Sequence, residues 1–366
     1  MIFLSIIILI VAIALPSINI YINSNIYNRL SSIILIYSGL LALNAINIPS
    51  MGSGIGLFNG LFHVTLISQF MDTFIFLVGS LILISWPLIN NNIYNITKFS
   101  NNLQIKLNKL KIYLTEYSLI ILFSTLGASL LISSADIISM YLSIELQSFG
   151  LYILSTIFRN SDSATSAGLK YFLLGSLSSC LILLGSSLIY SFTGLTNFDS
   201  IYSLISVTGY NNINQGLNLG IIFIIVGLLF KIAAAPMHNW APDVYDESPT
   251  IVTIWLTIIP KISILILLLE LYLHFVGLNF GSNIIENLNK LELVNNNLIT
   301  NFIFSINEIS NIKILNNDWI NNFTEIRYLL LISSLLSLIL GTIVGLAQTR
   351  IKRLLAYSIW EIQLWA

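Results

Sequence analysis

The chain is short of charge and almost devoid of cysteine. Only 8% of its 366 residues are Asp, Glu, Lys or Arg, against roughly a quarter in an ordinary soluble domain. The formal net charge of −1 supplies neither the basic excess that nucleic-acid binding requires nor a strongly acidic character. A single cysteine, Cys180, lies in an apolar segment, which excludes a disulfide framework and any CxxC metal or redox signature. Nucleotide-binding glycine loops, heme or iron–sulfur ligand spacings and Ser/His/Asp arrangements are also missing from the sequence. No redox centre, cofactor or metal is therefore expected on this chain. The run Met1 to Pro16 lacks a positive n-region and a small-residue cleavage site, so it reads as a first membrane span and not a signal peptide. An arginine-rich transit sequence is absent too.

What the chain does have is apolar surface. Hydrophobic residues make up 56%, and the mean hydropathy is +0.88. Repeated apolar runs long enough to cross ~30 Å of hydrocarbon predict an all-α, polytopic membrane helix bundle. Residues 1–89 hold three spans, Ile2–Ile18, Ser31–Ile48 and Thr73–Ile89, with Leu57–Phe70 as an extended or hairpin segment at the surface. A polar loop, 90–116, follows, with Lys98, Lys106, Lys109 and Lys111 and room for a membrane-surface helix. Residues 117–275 hold spans four to eight: Tyr117–Ser134, Asp136–Phe158, Ala164–Phe192, Leu219–Trp240 and Ile251–Phe275, the last interrupted by Pro260. An Asn-rich extramembrane insertion fills 276–327, and 328–366 carry a ninth span, Tyr328–Gln348, and the start of a tenth helix. Small residues at Gly168, Gly175, Ser179, Gly185 and Ser186 suit the sixth span to close helix approach. Threading the spans alternately gathers Arg29, the loop lysines, Arg159, Arg350, Lys352 and Arg353 on one face. By the positive-inside rule that face is the cytosol or matrix.

Ionisable residues inside such spans are rare and costly, and are functional sites by default. Glu145 sits near the middle of the fifth span, Lys231 near that of the seventh and Lys261, directly after Pro260, near that of the eighth. At 1.5 Å rise per residue all three lie within about one helical turn of the same depth. Five residues after Lys231 comes Pro236, which removes a backbone donor and opens the helix locally. Glu145 and Lys231 would compensate each other's charge, and drawing them apart would tip Lys231 toward releasing its proton. Lys231 could then hand on to Lys261 through water. The alternative is a buried ion pair fixing helix register, with Lys261 snorkelling or bonded to carbonyls freed by Pro260. Lys170, about two turns into the sixth span, either influences the Glu145–Lys231 pair or snorkels. Glu270 and His274 could form an exit path or be simply solvated. His238 and the acidic run Asp243, Asp246 and Glu247 could form an intake funnel, or a polar turn capping the eighth span through Ser248 and Thr250.

The stretches MYLSIELQSFGLYIL, AGLKYFLLGSLSSCLILLG, GLLFKIAAAPMHNWAPDVYDESPT, IPKISIL and AQTRIKRLLAYS resemble the antiporter-like membrane subunits of respiratory complex I. They are nearest to the subunit 2 family of the NADH dehydrogenases in forms similar to fungal mitochondrial ones. The resemblance runs from the first span to about Ser358. It implies a multi-pass subunit of the mitochondrial inner membrane and an antiporter-like fold. It also implies a proton-translocation half-channel coupled to electron transfer from NADH to ubiquinone. On this resemblance the family's proton-relay residues fall on Glu145, Lys170, Lys231 and Lys261, with His238 and Glu270 as secondary candidates. Partners would be the other membrane-arm subunits, lipids and protons. NADH, FMN, iron–sulfur clusters and ubiquinone would belong to other subunits. Family members continue from the AYS motif into a second inverted repeat, whereas here IWEIQLWA follows. The resemblance therefore implies a first repeat that is present, a second mostly missing, and a truncated product. Two rival readings are a stand-alone cation/proton antiporter and a non-functional or scaffolding fragment.

Overall fold

The computed structural model describes residues 1–15, 24–48, 54–96, 101–158, 161–207, 212–276 and 324–362, and side chains over somewhat shorter stretches. Almost all of it is helix. The N-terminal helices α1 (Ile2–Ala14) and α2 (Ser24–Ile46) are followed by a hairpin of β1 (Ile55–Leu57) and β2 (Phe62–Val64), then α3 (Leu66–Ile96). Next come α4 (Asn101–Ile132), α5 (Ile137–Ser155), α6 (Asp162–Thr193), α7 (Phe198–Val207), α8 (Asn212–Ile232), α9 (Trp240–Glu247) and α10 (Thr250–Val276). The described part closes with α11 (Thr324–Leu346) and α12 (Ile351–Ile362).

Six helices among the described residues are long and apolar enough to cross a membrane, and three shorter apolar ones lie over Ile2–Ala14, Glu116–Ile132 and Gly216–Ile232. Their outward faces carry large apolar side chains. Phe3, Ile8, Leu81, Leu142, Leu331 and Leu335 are all exposed, an arrangement that water would penalise and lipid accepts. Inside the bundle, Trp255 of α10 is fully buried and its indole N–H donates to Ser124 Oγ of α4 at 3.0 Å. Helices α6 and α8 approach so closely that a Cβ at Gly185 would stand 2.5 Å from the Gly220 carbonyl oxygen. No residue but glycine fits there, and the crossing fixes the depth of Lys231 relative to α6. At the other hairpin, a Cβ on Gly127 of α4 would meet the Gln147 backbone nitrogen of α5 at 2.7 Å.

Several sequence expectations change. The surface segment is a true antiparallel hairpin, with Gly56 opposite His63. It is anchored by backbone bonds from His63 N–H to Ser133 and from Ala135 N–H to Leu61. Helix α3 begins at Leu66, a turn and more before the expected Thr73. In the polar stretch 90–116, where the sequence leads one to expect a loop with a membrane-surface helix, α3 runs to Ile96 and α4 begins at Asn101. Leu103, Leu107, Leu110 and Leu114 repeat at helical spacing, which accounts for it. Helix α7 was not expected. Pro260 does not interrupt α10, which runs unbroken past it. Membrane helices tolerate proline where neighbouring groups re-satisfy the freed backbone. The insertion is outside the described residues from 277 to 323, as are Lys98 and Arg159. The side chains of Lys106, Lys109, Lys111 and His274 lie outside the described side chains.

The seventh span differs most. It breaks four residues ahead of Pro236, since α8 stops at Ile232 and Ala233 takes the left-handed conformation, with φ of 69°. Ala233 N–H bonds to Phe230 O at 3.1 Å and Ala234 N–H to Leu229 O at 3.0 Å. That pair of bonds is a Schellman closure, with alanine where glycine is usual. After the turn 233–239 the chain re-enters helix as α9, buried through Trp240, Ala241, Val244 and Tyr245.

Candidate functional site

Each ionisable residue of the site is delivered by a different helix. Helix α5 starts beside Asp136, whose backbone N–H donates to Ser139 Oγ at 3.3 Å. Ser139 Oγ also bonds Leu61 O of the hairpin at 2.9 Å, fixing the helix's height. Two turns further on, Glu145 Oε1 accepts from Lys231 Nζ of α8 at 3.3 Å. Their side chains are 15% and 7% exposed respectively, so each charge depends on the other. Ser148 Oγ lies one turn on from Glu145, 3.5 Å from Oε2.

Lys231 stands on the last turn of α8, where carbonyls lose their helical partners. The break around Ala233 re-uses them, and the Trp240 indole adds a bond to Phe230 O at 3.1 Å. The last turn of a helix carries partial negative charge, which suits a lysine. The interruption therefore ends the helix beside the cation.

Lys261 of α10 is 2% exposed. Its Nζ lies 5.4 Å from the centroid of the Tyr245 ring, cation over π face, an interaction that strengthens as water is excluded. Two residues along α10, Ser263 Oγ exchanges hydrogen bonds with the Gln147 amide, Nε2 at 3.0 Å and Oε1 at 3.2 Å, tying α10 to α5. A cavity of about 30 Å³ lies between the two lysines, with Gln147, Ser148, Tyr171 and Trp240 on its wall as well as Lys231, Lys261 and Tyr245. That is space for one or two waters, and the polar lining offers them partners. Tyr171 stacks on Trp240, centroids 5.0 Å apart, and Tyr152 meets Tyr171 edge-on at 4.8 Å.

Thus Glu145 pairs with Lys231, and Lys231 and Lys261 share the wall of one cavity. Lys170 is not beside them. Its Nζ pairs with Asp243 Oδ2 at 3.1 Å, with both side chains well exposed. His238 sits in the turn 233–239 and does not line the cavity. Glu270 lies on a separate, larger cavity of about 210 Å³ with His63, Thr65, Ser134 and Asp199. That cavity shares no residue with the one between the lysines.

The acidic run is helix and not a polar turn. Asp243, Asp246 and Glu247 lie on helix α9, and the Ser248 hydroxyl is buried without a hydrogen bond while its carbonyl accepts from Lys352 Nζ at 2.9 Å. Asp246 Oδ2 receives Arg350 Nη1 at 2.6 Å and Arg353 Nε at 3.1 Å, and Arg353 Nη2 also reaches Asp243 Oδ1 at 3.2 Å. Burial alone would push the Asp246 carboxyl up. The two guanidinium groups outweigh that and hold it below its ordinary value. Glu247 Oε2 accepts from Ser166 Oγ of α6 at 2.8 Å.

Tyr171, Trp240 and Tyr245 were not singled out in the sequence. A usable signal existed in α9, where Trp240, Ala241, Val244 and Tyr245 follow the one-sided spacing of a short amphipathic helix.

Comparison with known proteins supplies the relatives. The pattern of the family described as NADH:quinone oxidoreductase/Mrp antiporter, TM matches residues 134–310 and 313–360. The NADH-ubiquinone oxidoreductase chain 2 of Rhizopus oryzae is 50% identical over 333 residues, 91% of this chain and 55% of that protein. The NADH-quinone oxidoreductase subunit N of Pelagibacter ubique is 35% identical over 92% of this chain and 57% of its own length. The chain thus spans a little over half the length of these curated relatives. In fold it is similar to a chain of respiratory complex I from Thermus thermophilus, with TM-score 0.64, 22% identity, and coverage of 100% of this chain and 63% of that one. It is also similar to a chain of the Mrp complex from Dietzia, with TM-score 0.65 at 14% identity, covering 98% of this chain and 55% of that one.

Proposed function

The chain belongs to the NADH:quinone oxidoreductase/Mrp antiporter transmembrane family, and we propose that it is a multi-pass subunit of a mitochondrial inner-membrane NADH:ubiquinone oxidoreductase carrying part of the proton path. The observation that carries this reading is the Glu145–Lys231 ion pair beside a small cavity whose wall holds both Lys231 and the buried Lys261. The relatives named as NADH oxidoreductase subunits support the assignment of the complex. Other membrane subunits, lipids and protons would be its partners. The electron carriers of such a complex would sit elsewhere.

In this reading Lys231 holds a proton while Glu145 neutralises it at 3.3 Å. Any movement that parts α5 from α8 weakens that attraction and leaves a cation in a poorly solvated place, so Lys231 gives up its proton into the cavity. Water bridging the cavity would carry it to Lys261, where the Tyr245 π face receives the new charge. Gln147 and Ser263 hold the two banks of the cavity at fixed spacing. The helix end at Ile232 lets the chain flex beside Lys231 without breaking a continuous ladder.

The test is proton translocation by the assembled complex carrying Glu145→Gln or Lys231→Ala. Both are expected to reduce protons moved per NADH oxidised at normal assembly. Unchanged translocation in both would overturn the relay, and loss of assembly alone would assign the pair a structural role. A free-standing cation/proton antiporter is not favoured by the named relatives.

A further inference from the structure

Helix α9 has the cavity on one side and a cluster of cations on the other. Its inner side, Trp240 and Tyr245, forms part of the cavity wall. Its outer side, Asp243, Asp246 and Glu247, meets cations and a hydroxyl from two other helices. Lys170 comes from α6, and Arg350 and Arg353 from the start of α12, more than 100 residues along the chain. Lys352 adds a bond to the Ser248 carbonyl just past the C-terminus of α9. Nothing in the relay requires this cluster, yet it grips the short helix whose Trp240 and Tyr245 share the cavity wall with both lysines. Short helices gain little stability of their own, so α9 depends on what holds it.

We propose that Lys170, Asp243, Asp246, Arg350 and Arg353 form a clasp that keeps α9 closed as the lid over the Lys231–Lys261 cavity on the basic face. They are positioning residues, which touch neither relay lysine but set when water from that face reaches them. The geometry carries this. Asp243 is shared between α6 and α12, and Asp246 takes two guanidinium groups, so the network links three helices through one eight-residue element. The clasp also has an expected strength. Its pairs are partly exposed, with side chains from 10% to 69% accessible, and such pairs are individually weak and screened by salt. A weak clasp is one that can be opened by displacement of α12, which would couple movement at that helix to proton access.

This inference rests on the relay reading for its meaning in proton transfer, but its test does not. The full-length chain in lipid nanodiscs is treated with a water-soluble acetylating reagent, and labelling of Lys231 and Lys261 is read by mass spectrometry beside backbone hydrogen exchange over residues 240–247. Asp243→Asn combined with Asp246→Asn is expected to speed both labelling at the two lysines and exchange in α9 by about three- to ten-fold, the scale of losing several partly exposed pairs. Asp246→Glu, which keeps the charge, is expected to stay near wild type. On the unaltered chain, raising sodium chloride from about 0.05 to about 1 M should speed Lys261 labelling in the same way, because the screening length falls to about 3 Å. Faster exchange in α9 without faster lysine labelling would overturn the lid. No change in either, in the variant or in salt, would overturn the clasp. If the double variant loses protection throughout α5 it has misfolded, and the salt series then decides. A failed relay would show instead as normal proton translocation in Glu145→Gln and Lys231→Ala, with the labelling result unaffected.

Discussion

Removing the charge of Glu145, of Lys231, or of both separates the energetic role of their ion pair from its proposed role in proton transfer. At 3.3 Å and an effective dielectric of about 20, two unit charges attract by about 5 kcal/mol. Desolvation of both ions consumes much of this, so the intact pair contributes little net stability. Removing one partner is different, because it leaves the other charge buried alone. With side-chain exposures of 15% and 7%, Glu145→Gln or Lys231→Met is expected to destabilise by about 3–5 kcal/mol. The double variant replaces the pair by neutral groups of similar volume and should recover most of that loss, so its cost should fall well short of the sum of the two single costs. Thermal unfolding of the purified chain in one detergent, followed by the loss of helical circular dichroism, measures the four corners. The relay reading adds a second column. Proton translocation should stay low in the double variant even though stability returns. A double variant whose loss equals the sum of the two single losses would refute the coupling, and one that translocates normally would refute the relay.

Two further outcomes follow from the same structure. Ala233 occupies the left-handed region with φ of 69°, which costs a non-glycine residue about 1–2 kcal/mol, so Ala233→Gly should stabilise the chain by about 0.5–1 kcal/mol after the entropy that glycine adds to the unfolded state; unfolding midpoints in denaturant check it. Asp246 is held below its ordinary value of 3.8 by Arg350 and Arg353 against the opposing effect of burial, so its contribution is fully present above pH ~4 and is lost as pH falls through the lowered value. A spin-label distance between positions 169 and 355, both exposed leucines on α6 and α12, should stay constant from neutral pH down to about 4 and lengthen below it.

Much of the site was legible because charge is so conspicuous in an apolar chain. Glu145, Lys231 and Lys261 stand out individually, and counting residues along each span placed them at a common depth. The small residues of the sixth span likewise announced a close approach, realised at Gly185 against Gly220. Of the two prolines read as breaks, Pro236 agrees with the end of α8, since it has no N–H for the carbonyl of Ile232 four residues earlier, and the turn is closed by backbone bonds around Ala233. Pro260 misled, because α10 runs intact past it. The clasp was the least legible part. Asp243 and Asp246 had been placed on the same face as Arg350 and Arg353, but only the fold brings residues more than 100 apart into contact. The same holds for Tyr245 above Lys261, where ring and cation come from consecutive helices joined by a tight turn.

The most direct test of the central claim is Lys261→Ala in the assembled complex, because Lys261 takes no part in the Glu145–Lys231 bond yet lies across the cavity from it. Protons translocated per NADH oxidised, measured in sealed vesicles with assembly matched to wild type, should fall if the cavity is a route for protons. A ratio equal to wild type would contradict that account and leave the buried pair as a structural fastening between α5 and α8.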